Sequence, residues 1–311
     1  MPANVRAILL AGVAVIAAPA VSAAADLLPS APRLEAPGPV AGPDVTGWYI
    51  RGDVGIAVEN NAPALKISPN PLKGLPSTAF NSFYNPTIST MPTFDVGVGY
   101  QFNNWLRMDV TGEYRGGQFQ ALEQVGVPSK HQQYADQYRA NQSSMIGLVN
   151  GYIDVGTWYG MTPYIGAGVG MARNTLSGFT DTGFAYTGGG KGFPTGGYFS
   201  DGSKTNFAWA LMTGIGFNVT QNVKLELGYR YLNYGGLTTG GSNCFNGTGV
   251  NGGFSKANCG GSANVLSTSN MLASSDFRIG LRYMISDGGP GYAPAPVYEP
   301  APMPGPIVRK Y

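Results

Sequence analysis

The stretch Val223–Tyr234, VKLELGYRYLNY, alternates at almost every residue. Val223, Leu225, Leu227, Tyr229 and Tyr231 fall on one parity, and Lys224, Glu226 and Arg230 on the other. A period of two is the mark of a β-strand, whose successive side chains point to opposite faces. The same alternation recurs in Thr46–Val58, Thr93–Phe102, Leu106–Tyr114, Ser143–Val155, Pro163–Ala172, Asn206–Val219 and Ser275–Ile285. The apolar parity carries Trp48, Ile50, Val54, Val96, Val98, Met108, Val110, Val149, Val169, Leu211, Ile279 and Leu281. The opposite parity carries Arg51, Asp53, Asp95, Arg107, Asp109, Glu113, Asp154, Lys224, Glu226, Arg230, Asp276, Arg278 and Arg282. The count of such segments is eight, an even number.

Which parity faces inward depends on the solvent. Only 12% of the 311 residues are charged, against about 25% in an ordinary globular protein. Glycine numbers 47, Tyr 18 and Phe 14. So few charges cannot cover a water-facing surface, and the net charge of +2 gives no basic stripe for nucleic acid. The N-terminus suggests the compartment. Arg6 precedes an apolar run from Ala7 to about Ala18, and small residues follow through Ala23, Ala24 and Ala25. This reads as a secretory signal peptide over residues 1–25, too short for a membrane anchor. Residues 26–45, with Pro29, Pro32, Pro37, Pro39 and Pro43, form a Pro/Ala-rich linker. Residues 286–311, with seven prolines, form a tail that cannot continue a strand.

The expected connections alternate in length. Asn103–Asn104, about 157–161 and Thr220–Asn222 are short; about 59–90, 115–142, 173–204 and 235–273 are long. Short turns at one end and long loops at the other describe an all-β, eight-stranded antiparallel up-and-down transmembrane β-barrel over residues 46–285, with four extracellular loops. Trp48, Trp105 and Trp158 fall at the expected periplasmic ends and Trp209, Tyr114 and Tyr231 nearer the outer ends, as two aromatic girdles would. The charged parity then points into a lumen too narrow for much besides side chains. Its charges form a balanced network rather than an aqueous lining.

The residues AADLLP, TGWYIRGDVG, TPYIGAGVGMA and VKLELGYRYL resemble the small opacity-protein-like, OmpA-like outer-membrane barrels, and most the major outer-membrane proteins of alphaproteobacteria. That resemblance covers about 46–285. It implies an outer-membrane address, assembly by the barrel-assembly machinery and mostly structural or surface-exposed roles, with adhesins and haem binders among similar proteins. Barrels of this type end on an aromatic strand read by that machinery; Gly280, Tyr283 and Ile285 resemble the signal, but 26 residues follow.

Chemistry is largely excluded. The single histidine, His131, has no nucleophile motif beside it, so the chain is not expected to be an enzyme. His131 with Tyr134 and Tyr138 is at most a haem-ligand candidate, and no cofactor or metal site is expected. GAGVG (166–170) lacks the spacing of a dinucleotide loop, and the Lys191 region lacks the Ser or Thr of a P-loop; these glycines are expected to make room for large side chains opposite. Cys244 and Cys259, an even count in an exported chain, are expected to form a disulfide. The expected partners are outer-membrane lipids and lipopolysaccharide, and peptidoglycan or a periplasmic protein through the tail; nucleic acid is not. The function read from the sequence is a structural, surface-exposed envelope barrel, with a small-solute pore or a loop-mediated adhesin or haem binder as alternatives.

Overall fold

The computed structural model describes residues 46–285 except 71, 187–191, 246–253 and 256–263. The proposed signal peptide, linker and tail, and Cys259, lie outside the described residues. The fold is all-β and antiparallel. In chain order the strands are β1 (Gly47–Glu59), β2 (Leu65–Ser68), β3 (Phe80–Ile88), β4 (Met91–Gln101) and β5 (Leu106–Val127). They continue with β6 (Gln132–Asp154), β7 (Met161–Tyr186), β8 (Gly192–Phe199), β9 (Gly202–Asn218) and β10 (Val223–Gly235). The last are β11 (Ser242–Phe245), β12 (Phe254–Ser255), β13 (Val265–Thr268) and β14 (Leu272–Met284).

Pairing runs β4–β5–β6–β7–β9–β10–β14–β1 and returns from β1 to β4. Each of these eight strands therefore has both edges satisfied within the set. The short connections are built from local hydrogen bonds. Asn103 Oδ1 accepts from the amides of Trp105 and Leu106 at 3.0 and 2.8 Å, and Thr220 Oγ1 accepts from those of Asn222 and Val223 at 3.3 and 3.0 Å. Between Trp158 and Met161, which exchange amide–carbonyl bonds of 2.9 Å, Tyr159 and Gly160 have φ of 50° and 79°. Two positive φ values in a two-residue loop match the right-handed twist of the strands they join.

Around the ring, side chains alternate in exposure as the sequence alternates in polarity, with the apolar parity outermost. Val96 is 69% exposed, Trp48 59% and Phe277 52%, while Arg107 and Asp276 are fully buried. On β5 to β7 this belt of exposed apolar residues stops at Tyr114, Met145 and Met171. Beyond it the exposed positions carry Gln118, Gln120, Gln137, Arg139, Asn141 and Arg173, with Leu122, Phe184 and Tyr186 as exposed apolar exceptions.

The strands do not stop there, and this corrects the expected loops. β5, β6 and β7 contain 22, 23 and 26 residues. Most of 115–142 is one hairpin closed by a single 3-10 turn, Pro128–Lys130. β8 pairs with β7 above the ring, β3 pairs with the upper part of β5, and β2 with β13 forms a separate two-stranded sheet. The inward parity, charged within the belt, becomes apolar in this extension. Phe119, Ala121, Tyr138, Ala140, Phe179 and Phe199 form one buried cluster, against which Leu65, Ile67 and Phe83 pack. Hydrophobicity was expected on the outward parity, so its move to the inward one hid these strands from the sequence reading. A bulge adds to this on β7: the register with β6 slips between Arg139 and Asn141, and one extra residue sends every later side chain to the other face.

Candidate functional site

The charged residues singled out in the sequence come from six strands, and pairing sorts many of them by sign. Asp53, Asp95 and Glu113 are direct cross-strand neighbours on β1, β4 and β5. Arg51, Arg282 and Lys224 form a like row on β1, β14 and β10. Like charges directly opposite are unfavourable within a sheet; here the counter-charges come from two residues along the same strand and from other strands. Arg278 reaches both Asp53 (3.0 Å) and Asp95 (2.8 Å). Arg51 reaches Asp53 (2.8 Å), Asp109 (3.2 Å) and Glu226 (3.3 Å).

These contacts join into one connected cluster. At the end near the short turns, Arg107 bridges Asp154 (3.2 Å) and Glu226 (3.4 Å), and Arg282 reaches Glu226 (3.1 Å) and donates to Gln101 (3.0 Å). Toward the extension, Arg230 contacts Asp276 (2.6 Å), Glu113 and, more distantly, Asp95 (3.9 Å). Arg115 closes that end on Asp276 (2.9 Å) and Glu113. Tyrosines pack between the charges. The Arg107 guanidinium lies 4.0 Å from the Tyr152 ring centroid and 4.8 Å from that of Tyr164. Tyr49 donates to Asp109 at 3.1 Å, and Asn150 to the other Asp109 oxygen at 2.8 Å.

Space for these rings comes from glycine. A Cβ at Gly99 would collide with the Tyr49 ring, one at Gly166 with Tyr152, and one at Gly214 with the Tyr164 phenol. The cavity left among Arg51, Tyr152, Glu226 and Arg278 is about 10 Å³, room for one water at most.

The structure thus brings Arg51, Asp53, Asp95, Arg107, Asp109, Glu113, Asp154, Glu226, Arg230, Asp276, Arg278 and Arg282 together. Lys224 differs: it is half-buried at the turn end of β10, beside Asn218, and forms none of the ion pairs among the described residues. Arg115 was missed because it fell in an expected loop, one residue past Tyr114. It is fully buried and also donates to Ser274 at 2.8 Å. Its parity, shared with Arg107, Asp109 and Glu113, was the signal available.

Of the aromatic positions, Trp48, Trp105 and Tyr114 are exposed, and Trp158, Trp209 and Tyr231 partly so. Trp48 packs edge-on against Tyr100 at 5.3 Å, and Trp209 lies tilted against Tyr231 at 5.5 Å. The haem-ligand candidates are not gathered: His131 is exposed in its turn, while Tyr138 is buried and donates to Glu123.

Residues 8–257 match the family model described as outer membrane protein beta-barrel domain. An uncharacterized protein of Brucella abortus (strain 2308) is 31% identical over 232 residues, covering 69% of this chain and 76% of that protein. A Rickettsia prowazekii protein whose name proposes an adhesin is 25% identical, over 62% of this chain and 74% of its own. Among solved structures, the outer membrane protein OprG from Pseudomonas aeruginosa aligns with a TM-score of 0.38 and 11% identity, over 78% of this chain and 98% of that one. The chain belongs to the outer membrane protein β-barrel family, and its place is the cell outer membrane.

Proposed function

We propose that this protein is an eight-stranded up-and-down barrel whose work in the envelope is structural: a lipid-sealed, side-chain-filled wall that holds an extension at the cell surface. The observation that carries the reading is the connected ion-pair cluster from Arg115 to Asp154, which leaves only about 10 Å³ of cavity at its middle. Buried charges of this kind are tolerated when every one is paired, and Arg side chains held on carboxylates by several hydrogen bonds are poor conductors of solute. The belt of Ile, Val, Phe and Leu faces hydrocarbon, where unpaired strand edges have no hydrogen-bonding partner. The short turns lie on the periplasmic side, the extension outside, and lipopolysaccharide is the neighbour of its base.

Export runs through removal of residues 1–25 and insertion through the barrel-assembly machinery. The tail, 286–311, hangs in the periplasm within reach of peptidoglycan or a periplasmic protein. Cys244 and Cys259 form a disulfide in the last long excursion. We assign no catalysis; His131 is exposed in a turn, and no nucleophile motif stands near it in the sequence.

Conductance of the inserted protein in a planar bilayer tests this reading against a pore. No discrete steps are expected from protein shown by protease protection to be inserted. Stable unitary steps would overturn it and make Arg51, Glu226 and Arg230 selectivity residues instead. A second reading, adhesion through the extension, is favoured by the adhesin name of the Rickettsia relative. Deleting residues 116–141 while the ring still folds would abolish cell binding under that reading.

A further inference from the structure

Within the belt, carboxylates face guanidinium groups. In the extension they face one another. Glu123 on β5 and Asp136 on β6 are direct cross-strand partners, and Asp181 on β7 lies opposite Tyr138, two residues from Asp136. The groups around them are uncharged. Asn81 of β3 donates to Glu123 at 2.6 Å, Tyr138 donates to its other oxygen, and Thr195 of β8 donates to Asp136 at 3.3 Å. Tyr134 of β6 shares the inward parity. The cap strands β2 and β13 present Leu65, Ile67 and Leu266 to this core, while Lys66 is exposed. Lys130, His131 and Arg139 are exposed as well. Among the described residues no cation faces the three carboxyls.

The cluster sits just above a line of irregular backbone. β7 leaves β9 after Leu176 and takes β8 from Phe179. Between them Gly178 has φ of 58°, and the β6 register slips at the same level. On the far side of β5, β3 slips between Tyr84 and Thr87, where Asn85 has φ of 47°. Such bulges bend a sheet and interrupt its ladder, so the extension has a natural place to flex on a continuous ring.

We propose that the upper parts of β5, β6, β7 and β8 form a pH-responsive cap that tightens in acid and loosens as the pH rises above neutral. Protonating one carboxyl of a facing pair converts repulsion into a hydrogen bond and holds the three strands together over the Phe119–Phe179 core. Burial supports this, raising Glu123 above its ordinary range, Asp136 to about 6 and Asp181 to about 8, with their mutual repulsion adding to the rise in Asp136 and Asp181. A carboxyl whose folded-state pKa exceeds its unfolded value binds its proton more tightly when folded. Its stabilisation is therefore complete below the unfolded value, and fades as pH climbs through about 6 for Asp136 and about 8 for Asp181.

Amide hydrogen exchange on the full chain in lipid bilayers tests the cap, with labelling times scaled to the intrinsic exchange rate. Protection of 179–186 and 192–199 should fall by at least about tenfold between pH 5 and pH 8.5, while amides of β4 and β14 stay protected. Asp136→Asn with Asp181→Asn should remove most of that change, and His131→Gln should leave it intact. Unchanged protection in the wild type, a response that persists in the double substitution, or one lost with His131 would each overturn the proposal. Should the double substitution unfold the β4 and β14 amides, Asp181→Asn alone decides: a smaller response than wild type supports the cap, an equal one overturns it.

Discussion

Two lengths of the same strands obey opposite rules. From Arg107 to Arg115, the buried parity of β5 is Arg, Asp, Thr, Glu and Arg, and the exposed parity is Met108, Val110, Gly112 and Tyr114. From Phe119 to Glu123, the buried parity is mainly aromatic and aliphatic, and the exposed parity is Gln118, Gln120 and Leu122. The backbone and its pairing with β6 are continuous across the change. Only the surroundings differ. In the proposed barrel the lower length meets hydrocarbon outside and must place its polar groups within, while the upper length meets water and buries its apolar groups as a soluble sheet does. A strand thus carries no intrinsic inside; the solvent around each length assigns it.

That contrast can be broken at several points. The largest effect is expected inside the belt, where Arg230→Ala leaves Glu113 and Asp276 short of a partner and should cost about 3–5 kcal/mol. Reversible urea unfolding in lipid vesicles reads it, and an effect under about 1 kcal/mol would mean the cluster is hydrated. Phe179→Ala opens the extension core instead. It should cost about as much locally, roughly 3–5 kcal/mol, yet speed proteolysis only beyond the belt and leave the vesicle-protected fragment whole.

Charges placed outside sharpen the comparison. Val96→Arg, on the exposed parity of β4, should cost about 2–4 kcal/mol by the same unfolding assay if that face meets lipid. Gln120→Arg, also at an exposed position but above Tyr114, should stay within about 0.5 kcal/mol. Equal costs at the two positions would erase the distinction between the lengths.

How far the sequence was readable follows the same division. The strand cores within the belt stood out, because an apolar outer face and a charged inner one give the clearest alternation a chain can show. Twelve of thirteen charges assigned to the inner parity lie in the cluster, and Lys224 fell short since it lies at the turn end of its strand. Arg115 escaped because strands were expected to end at the girdle. β7 beyond Leu176 was unreadable for a separate reason: the extra residue near Gly178 breaks the period on which the reading depends.

By itself, then, the sequence determined parity: which residues share a face, and hence that Arg51, Asp109 and Glu226 lie on the side away from Ile50, Val110 and Leu227. Parity is local, set by the pleat of a single strand. Only the tertiary structure decided partners. Asp53 stands beside Asp95 on the neighbouring strand, and Arg278 of β14 bridges the two; Arg115 meets Asp276 across 161 positions of chain. Those pairings depend on the order of strands around the ring and on their stagger, which no single strand's pattern encodes.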